Sequence, residues 1–280
     1  MAISLNRNPE INRKTFTVLM SVYNKADPKL FKKAIHSIYK NTLLPDRVLI
    51  VLDGPLNQNL KEILEHLKEK YKFESLALDK NVGLAKALNF GLSKVSTDYV
   101  VRADADDINL SCRFKMLSNL MNENYDLAGS FIEEYDDNQL HKRIKKVPIT
   151  KKNIEKYISY RNPFNHMTIC FKTKLVKEVG GYPIVDLKED YALWIKLFSK
   201  NLKVKNIDKV LVRVSAGNDM FERRRGLKSV ISEIEIQKLL LENKLSNPLK
   251  SLMVFCFRSA ILILPSKLIK FFYLSFLRNK

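Results

Sequence analysis

Cysteine is scarce in this sequence, with three residues among 280. Cys112, Cys170 and Cys256 lie far apart, and no two of them stand at the spacing of metal ligands. An odd number of isolated cysteines argues against a disulfide framework and against a cysteine-rich zinc site. The pattern indicates buried thiols in a reducing compartment.

Long apolar runs are also lacking. Phe16–Val22 follows a polar segment broken by Pro9, and this run is too short and too late in the chain for a signal peptide, so we expect a cytoplasmic protein. Near the other end, Arg258 interrupts the apolar stretch Leu252–Leu264, which falls short of the about 20 residues that a membrane-spanning helix needs. The pattern therefore disfavours a transmembrane segment.

Acidic side chains are in the minority, with 30 Asp and Glu against 49 Lys and Arg and a net charge of +19. The partner is therefore expected to be anionic: a nucleic acid, an acidic lipid or a phosphorylated substrate. Charge alone does not choose among these. With 46% hydrophobic residues the chain can bury a full core, and its length fits one large α/β domain with an appendage.

Strand and helix patterns alternate in the N-terminal part of the chain. Continuous β-prone runs predict buried strands at Phe16–Tyr23, Arg47–Leu52 and Asp98–Arg102. Apolar residues at helical spacing predict helices at Pro28–Asn41, Gln58–Tyr71 and Val82–Lys94. This alternation predicts an α/β fold with a doubly wound, mainly parallel sheet, which binds ligands at the carboxyl ends of its strands.

The remainder of the chain has a different pattern. An edge-strand pattern at Leu127–Tyr135 opens a mixed region that we expect to form the second half of the same domain. The composition changes from Asn218, and we divide the chain into an N-terminal arm 1–14, a domain 15–215 and a basic, amphipathic helical segment 216–280. After Pro248, aromatic and aliphatic residues are interleaved with basic ones, and this pattern predicts helices that lie at an anionic membrane surface. A dimer interface or an ordinary core helix is the alternative. The basic residues are Arg258, Lys267, Lys270 and Arg278.

Three aspartates follow the predicted strand that ends at Arg102. In extended backbone, residues two apart face the same way, so Asp104 and Asp106 are expected to converge on one ligand. Their oxygens suit a hard cation, Mg²⁺ or Mn²⁺, with room left for phosphate oxygens. Asp107 is also typical of a helix cap ahead of Leu110.

Polar residues follow two other predicted elements. Asp53 ends the second strand before Gly-Pro, a position typical of a turn, but a carboxylate at this edge of the sheet also suits the ribose or base of a nucleotide. Asn81 and Gly83 open a helix whose free amides suit an anion, with Lys86 one turn further on.

These pieces occur in a recognisable order. The residues that carry the resemblance are Val18–Asn24, Asp53, Asn81–Asn89, Asp104–Asp107, Leu187–Asp190 and Trp194. In this order they resemble the inverting family-two glycosyltransferases, which have the GT-A fold, and most closely those of bacterial surface-polysaccharide assembly, in capsule or O-antigen biosynthesis. The resemblance covers roughly residues 15–215.

The resemblance implies a role for each matching residue. Ser21, Tyr23 and Asp53 would contact the base and ribose of a nucleotide-sugar, most often a UDP-sugar, with Asn81 and Lys86 near its phosphates. Asp104 would bind the ribose or a metal water, and Asp106 the Mn²⁺ or Mg²⁺ that bridges the diphosphate. Asp190 would be the general base. The acceptor would be a saccharide on a polyprenyl diphosphate, and addition of single sugars is expected because no tryptophan follows Arg223–Arg225.

Further contacts with the acceptor or the diphosphate are expected from five residues: Glu189, Trp194, His166, Arg224 and Arg225. His166 is placed on a strand after Pro163, although such a histidine is commonly structural. Glu189 and Asp190 also begin a predicted helix, so a helix-start role is the alternative for both.

Two other functions share parts of this pattern. A sugar nucleotidyltransferase would also use acidic residues and Mg²⁺, but it needs a glycine-rich loop after the first strand, and Val22–Asp27 contains no glycine. A nucleic-acid-binding protein would explain the net charge. Against it, the positive charge collects near the apolar C-terminal end while the predicted ligand loops are acidic, so we expect no nucleic-acid partner.

Overall fold

The computed structural model describes residues 13–135, 142–215 and 226–263. The strands are β1 Phe16–Tyr23, β2 Arg47–Asp53, β3 Glu74–Ala77, β4 Tyr99–Arg102, β5 Ile108–Asn109, β6 Leu127–Tyr135, β7 Lys142–Lys145, β8 Cys170–Lys172 and β9 Val204–Ser215. The helices are α1 Pro28–Tyr39, α2 Gln58–Lys70, α3 Leu84–Ser93, α4 Arg113–Asn122, α5 Lys151–Ile158, α6 Thr173–Glu178, α7 Glu189–Leu197, α8 Leu227–Glu242 and α9 Pro248–Ile263.

The N-terminal half is the predicted doubly wound unit. Its strands lie in the order β3-β2-β1-β4, and all three pairings are parallel. The order reverses at β1, whose neighbours are β2 on one side and β4 on the other, so a crevice opens at the carboxyl ends of these strands. Tyr23 pairs with Asp53 in the ladder, which places the ends of β1 and β2 side by side.

Beyond β4 the sheet becomes mixed and continues through β8, β6, β9 and β5. β4 and β6 both pair antiparallel with β8, whereas β6 pairs parallel with β9. The expectation that Leu127–Tyr135 is an edge strand is wrong, because β6 has neighbours on both sides and its first six residues are buried. The C-terminal half is thus built on the same sheet as the N-terminal half.

Apolar layers cover both faces of the sheet. Side chains alternate along β1, so Val18 and Met20 face the layer under α1, α2 and α4, and Leu19 faces the layer under α3 and α7. Gly91 lets α3 lie against the sheet, since a Cβ there would come within 2.6 Å of Leu19 Cδ1. This close packing fixes the start of α3 at the edge where β1 and β2 end.

Helices α8 and α9 pack against each other, and α8 also contacts α7. The chain positions predicted at the membrane surface, Lys267, Lys270 and Arg278, lie outside the described residues, as do residues 1–12 of the arm. Among the helices that the structure describes, none combines the length and the apolar character that crossing a membrane requires. The prediction of buried thiols holds for Cys170 and is wrong for Cys112 and Cys256, which are exposed.

Candidate active site

The acidic loop after β4 presents its three aspartates differently. The Asp104 side chain is 27% exposed, Asp106 is exposed and Asp107 is buried. The loop is a turn at Asp106 rather than extended backbone, so the expected reason for their convergence is wrong. Asp107 caps no helix, because β5 intervenes and α4 begins only at Arg113.

Two buried arginines lie beneath this loop. Arg102 ends β4 and binds the carboxylate of Asp104 and the carbonyl of Ala103. Arg113 donates from Nη2 to the carbonyls of Arg102 at 2.7 Å and Met167 at 2.8 Å. Burial lowers the pKa of Arg113 to about 9. These cations offset the charge of the aspartates and fix the turn.

The environment of Asp107 differs from that of its neighbours. Burial, together with the charges of Asp104 and Asp106, raises the pKa of Asp107 well above its usual range. Its Oδ2 is buried and makes no hydrogen bond. The loop therefore offers Asp104 and Asp106, rather than Asp107, to a ligand.

Asp53 holds two loops of the crevice together. Its carboxylate accepts hydrogen bonds from the backbone amides of Val82 at 2.7 Å and Gly83 at 3.1 Å, and from Asn81 Nδ2 at 3.1 Å. Gly54 sits at φ 84°, and a Cβ there would lie 2.5 Å from the Asn81 amide nitrogen. The predicted residues Asp53 and Asn81 are thus brought together, in a contact that fixes the two loops against each other.

The other predicted donor residues lie around the same edge of the sheet. Ser21 is half-buried in β1, and Tyr23 is exposed at the end of that strand. Gly83, at φ 87°, is the cap residue of α3 and makes no side-chain cap, which leaves the first amides of the helix for an anion. Lys86 is exposed one turn into α3.

Asp190 lies in the first turn of α7 and is held from two sides. Asn162 Nδ2 donates to its Oδ2 at 2.7 Å, and the Tyr191 amide donates to its Oδ1 at 2.7 Å. Each carboxylate oxygen keeps a further lone pair. The helix-start role and the base role are therefore compatible.

Glu189, next to Asp190 in the first turn of α7, has a raised pKa. Burial and the adjacent charge of Asp190 raise the pKa of Glu189 to about 7. A carboxyl with a raised pKa next to a second carboxyl is typical of an acid–base site.

His166 and Tyr182 lie between the two acidic regions. The His166 ring nitrogen Nε2 and the Tyr182 hydroxyl are 3.1 Å apart, and the charges of Arg102, Asp104 and Asp190 act on both side chains. Burial and Arg102 lower the pKa of His166 to about 4, so its ring is neutral at neutral pH. The residue lies on a short 3₁₀ turn, His166–Thr168, ahead of β8, and the prediction of a strand there is wrong.

Trp194 does not reach the crevice. Its side chain is fully buried, and its ring contacts Phe164 and His166 with centroids 5.7 and 6.3 Å apart. A fully buried side chain cannot touch an acceptor, so the expectation of a direct contact is wrong. Trp194 supports His166 from behind instead. Arg224 and Arg225 lie outside the described residues.

Sequence reasoning missed several residues that organise the site. Asn89 on α3 clamps Tyr182, donating to its carbonyl at 2.9 Å and accepting from its amide at 2.7 Å. Asn162 and Arg113 were also overlooked, because their partners are distant in sequence. Arg102 had a visible signal, since it is a charged residue at the end of β4, whose other residues are apolar or aromatic.

The carboxylate oxygens of the acidic loop are ligands that suit a divalent cation. Within the described ranges no three His, Cys, Asp or Glu side chains cluster as a complete metal cage. Mg²⁺ is commonly bound by one or two carboxylates together with substrate phosphates, and Asp104 and Asp106 supply such a pair.

Comparison with known sequences decides the family. Residues 17–179 match the sequence profile of glycosyl transferase family 2. The chain belongs to glycosyl transferase family 2, and it is a glycosyltransferase of the kind found in bacterial polysaccharide assembly.

This glycosyltransferase has curated relatives that span most of its length. An Escherichia coli enzyme named UDP-Gal:alpha-D-GlcNAc-diphosphoundecaprenol beta-1,3-galactosyltransferase is 41% identical over 79% of this chain and 82% of its own. The amylovoran biosynthesis glycosyltransferase AmsE of Erwinia amylovora is 33% identical over 92% of this chain and 97% of its own.

Solved structures of low sequence identity share the fold. The mannosyltransferase PcManGT from Pyrobaculum calidifontis, in complex with GDP-Man and Mn²⁺, superposes with a TM-score of 0.62 at 16% identity, over 92% of this chain and 79% of its own. S. aureus TarS with UDP-GlcNAc gives 0.60 at 19% identity, over 82% of this chain and 71% of its own. The prediction of a GT-A-type fold is confirmed, with a sheet that is mixed in its C-terminal half.

Proposed function

We propose that this glycosyltransferase moves one hexose or N-acetylhexosamine, galactose first among them, from a UDP-sugar to a saccharide carried on a lipid diphosphate. The observation that carries the proposal is the 41% identity with the Escherichia coli relative, whose name states that donor and that acceptor. The nucleotidyltransferase alternative loses its basis, because the chain belongs to a family of glycosyltransferases.

The donor is assigned to the crevice at the ends of β1, β2 and β4. Ser21 and Tyr23 take the base and ribose together with the loop that Asp53 and Asn81 hold in place. The N-terminus of α3 and the exposed Lys86 supply positive potential for the phosphates. Residues 15–215 form the catalytic domain in this proposal.

A divalent cation is assigned to Asp106, with Asp104 beside it. When bound, it neutralises the developing charge on the departing diphosphate, which is the work of a Lewis acid. Arg102 binds Asp104 and keeps its carboxylate in one orientation, so only part of that carboxylate is left for the cation or the ribose. Asp106, at the exposed tip of the turn, is therefore the main protein ligand.

Asp190 is assigned as the general base. The acceptor hydroxyl gives its proton to the Asp190 carboxylate while its oxygen forms a bond to the anomeric carbon, and the bond from that carbon to the diphosphate breaks with the electron pair leaving on UDP. Direct displacement inverts the configuration, in agreement with a β-linked product from an α-linked UDP-sugar. Glu189 stays partly protonated near pH 7 and so limits the negative charge beside the base.

A lipid-linked acceptor calls for a membrane surface, and we assign it to α9. Apolar residues recur on one exposed face of this helix at a spacing of three and four: Leu249, Leu252, Met253 and Phe257. A face of this kind on a chain of net charge +19 suits the interface of an anionic bilayer, where basic residues add electrostatic attraction. The protein is accordingly peripheral on the cytoplasmic side in this proposal.

A donor screen with a synthetic GlcNAc-diphosphate-lipid tests the proposed function. UDP-galactose should give one added sugar by mass spectrometry, in β linkage by NMR, with release of UDP. Asp190→Asn should lower turnover about a hundredfold or more, the scale of a positioned base, and leave UDP binding near normal. Asp186→Asn, at an exposed position in the preceding loop, is the matched control. An α-linked product, or full turnover of Asp190→Asn, would refute the assignment.

A further inference from the structure

A buried ion cluster lies behind the start of α7. Glu233 of α8 is fully buried, and its Oε2 binds Lys188 Nζ and lies 3.3 Å from Arg258 Nε of α9. Its Oε1 accepts a hydrogen bond from Gln237 Nε2 at 2.9 Å. One carboxylate therefore connects three separate elements, which are the segment before α7, helix α8 and helix α9.

Lys188 is the residue directly before the Glu189–Asp190 pair. It occupies the cap position of α7, where its carbonyl accepts the Ala192 amide at 2.9 Å. The preceding Leu187 has φ 61°, a left-handed conformation that non-glycine residues keep only where their surroundings fix it. The ion pair of Lys188 with Glu233 supplies such a restraint.

Arg258 contacts the segment that leads to Asn162, the partner of Asp190. Its Nη1 donates to the carbonyl of Tyr160 at 3.4 Å, two residues before Asn162, which binds Asp190. Its guanidinium also lies 6.0 Å from the ring centre of Tyr191. Both segments that hold Asp190 are thus tied to the cluster around Glu233.

We propose that Glu233 is a positioning residue for the base Asp190, acting through Lys188 and Arg258; this inference rests on the proposed function. A buried ion cluster is a weak source of stability, because desolvation offsets the attraction between its charges. Its geometric effect is larger, since a shift of the base by about 1 Å costs as much as a hundredfold in rate. Glu233 touches no substrate and acts only through orientation.

The experiment compares full-length variants by kcat, by KM for UDP-sugar and by melting temperature. Glu233→Gln keeps the size of the side chain and removes its charge, so kcat should fall by about tenfold to a hundredfold with little change in donor KM. Glu242→Gln makes the same substitution in an exposed ion pair with Lys238 on the same helix, and it should behave as wild type.

A second variant covers the case in which Glu233→Gln folds poorly. Lys188→Met combined with Glu233→Leu and Arg258→Met replaces all three charges by apolar side chains of similar size, which commonly keeps or raises stability. The triple variant should melt at or above the wild-type temperature and still have a low kcat. A triple variant that is stable and fully active would overturn the proposal.

Asp190→Asn, measured in parallel, distinguishes failure of the base role of Asp190 from failure of the positioning role of Glu233. If Asp190→Asn is inactive and the stable Glu233 variants are fully active, the positioning role fails and the base assignment survives. If Asp190→Asn is active, both fail, since there is no base for Glu233 to orient.

Discussion

Asn162 Nδ2 donates a hydrogen bond of 2.7 Å to Asp190 Oδ2, across 28 positions of the sequence. The same side chain accepts from the Phe164 amide at 3.1 Å through its Oδ1. These two bonds orient the amide, and the amide in turn orients the carboxylate.

We predict that Asn162→Ala lowers kcat by about tenfold to a hundredfold, because a carboxylate without this partner spends less time in the productive orientation. Donor KM should change little, since Asn162 binds the proposed base Asp190 and none of the residues assigned to the donor in its side-chain hydrogen bonds described above. Steady-state kinetics with Asn153→Ala, an exposed asparagine of α5, as control will check this. A rise in donor KM without a fall in kcat would place Asn162 in donor binding.

Asp106→Ala should abolish turnover and the metal-dependent part of UDP binding together. Wild-type activity should vanish with EDTA and return with Mn²⁺ or Mg²⁺, because the cation takes up the charge of the departing diphosphate. Calorimetry of UDP binding with and without Mn²⁺ measures the effect, with Asp208→Ala, at an exposed position of β9, as control. Full activity of the wild type in chelator would exclude a metal.

The raised pKa of Glu189 should make the stability of the protein depend on pH. Its pKa is 4.5 in ordinary surroundings and about 7 in the folded protein, so between these pH values the folded state binds more protons than the unfolded state. The contribution of Glu189 to stability therefore falls as pH rises through this window. Glu189→Gln lacks this loss, so its unfolding free energy relative to wild type should increase from pH 5 to pH 8 in urea titrations. A difference that is equal at both pH values would contradict the raised pKa.

Alanine substitutions at Gly180 and Gly54, which have nearly the same positive φ, distinguish the cost of backbone strain from the cost of a steric clash. Gly180, at φ 85°, has open space where the methyl group of an alanine would lie, so Gly180→Ala should cost only about 1–2 kcal/mol of backbone strain. Gly54→Ala adds a clash with the Asn81 amide nitrogen, so it should cost more and also weaken UDP binding. Equal losses of stability would contradict the clash at Gly54. A larger loss for Gly54→Ala with UDP binding intact would show that the donor does not need the Asp53–Asn81 contact.

The exposed face of α9 predicts a response to lipid. Each large apolar side chain that enters the bilayer adds about 1.5–3 kcal/mol, a contribution that salt does not screen, whereas the attraction of basic residues is screened. Leu252→Gln with Phe257→Gln should therefore weaken flotation with anionic vesicles at least tenfold, and wild-type binding should weaken but persist in high salt. Leu44→Gln, at an exposed leucine after α1, is the control.

Other outcomes would change the membrane assignment. Unchanged flotation of the double variant would remove α9 from the membrane surface, and resistance of the wild type to alkaline carbonate would point to a spanning segment. Point variants are preferable to a truncation at Leu249, because the truncation would also remove Arg258 from the cluster around Glu233.

The N-terminal half was predictable from sequence because its signals are local. The bounds of β1 coincide with those of the structure, and the predicted helices differ by at most two residues at either end, since each element carries its own apolar periodicity. The strand pattern also placed Asp53 at the end of β2 and Asp106 just after β4, where the structure has them.

The features that could not be predicted depend on contacts between residues that are far apart in the sequence. β6 has the pattern of an edge strand, and its neighbours β8 and β9 lie far along the chain. Asp106 was expected in extended backbone, but Arg102 and Arg113 fold the loop into a turn. Trp194 looked available for a ligand because a lone tryptophan near a motif gives no sign of its depth.

The clamp between Asn89 and Tyr182 has a consequence for protein engineering. A methyl group on Gly181 would collide with Asn89 Oδ1. Helix α3, which carries Asn89, and the loop that carries Gly181 and Tyr182 therefore fit each other closely. A chimera that joined the first hundred residues of one transferase to the remainder of another would have to keep Asn89 and Gly181 as a pair. Exchange of donor specificity between such enzymes is therefore expected to work best when the crossover points lie inside the loops around β2. Helix α3 and the loop of Gly181 and Tyr182 would then come from the same enzyme.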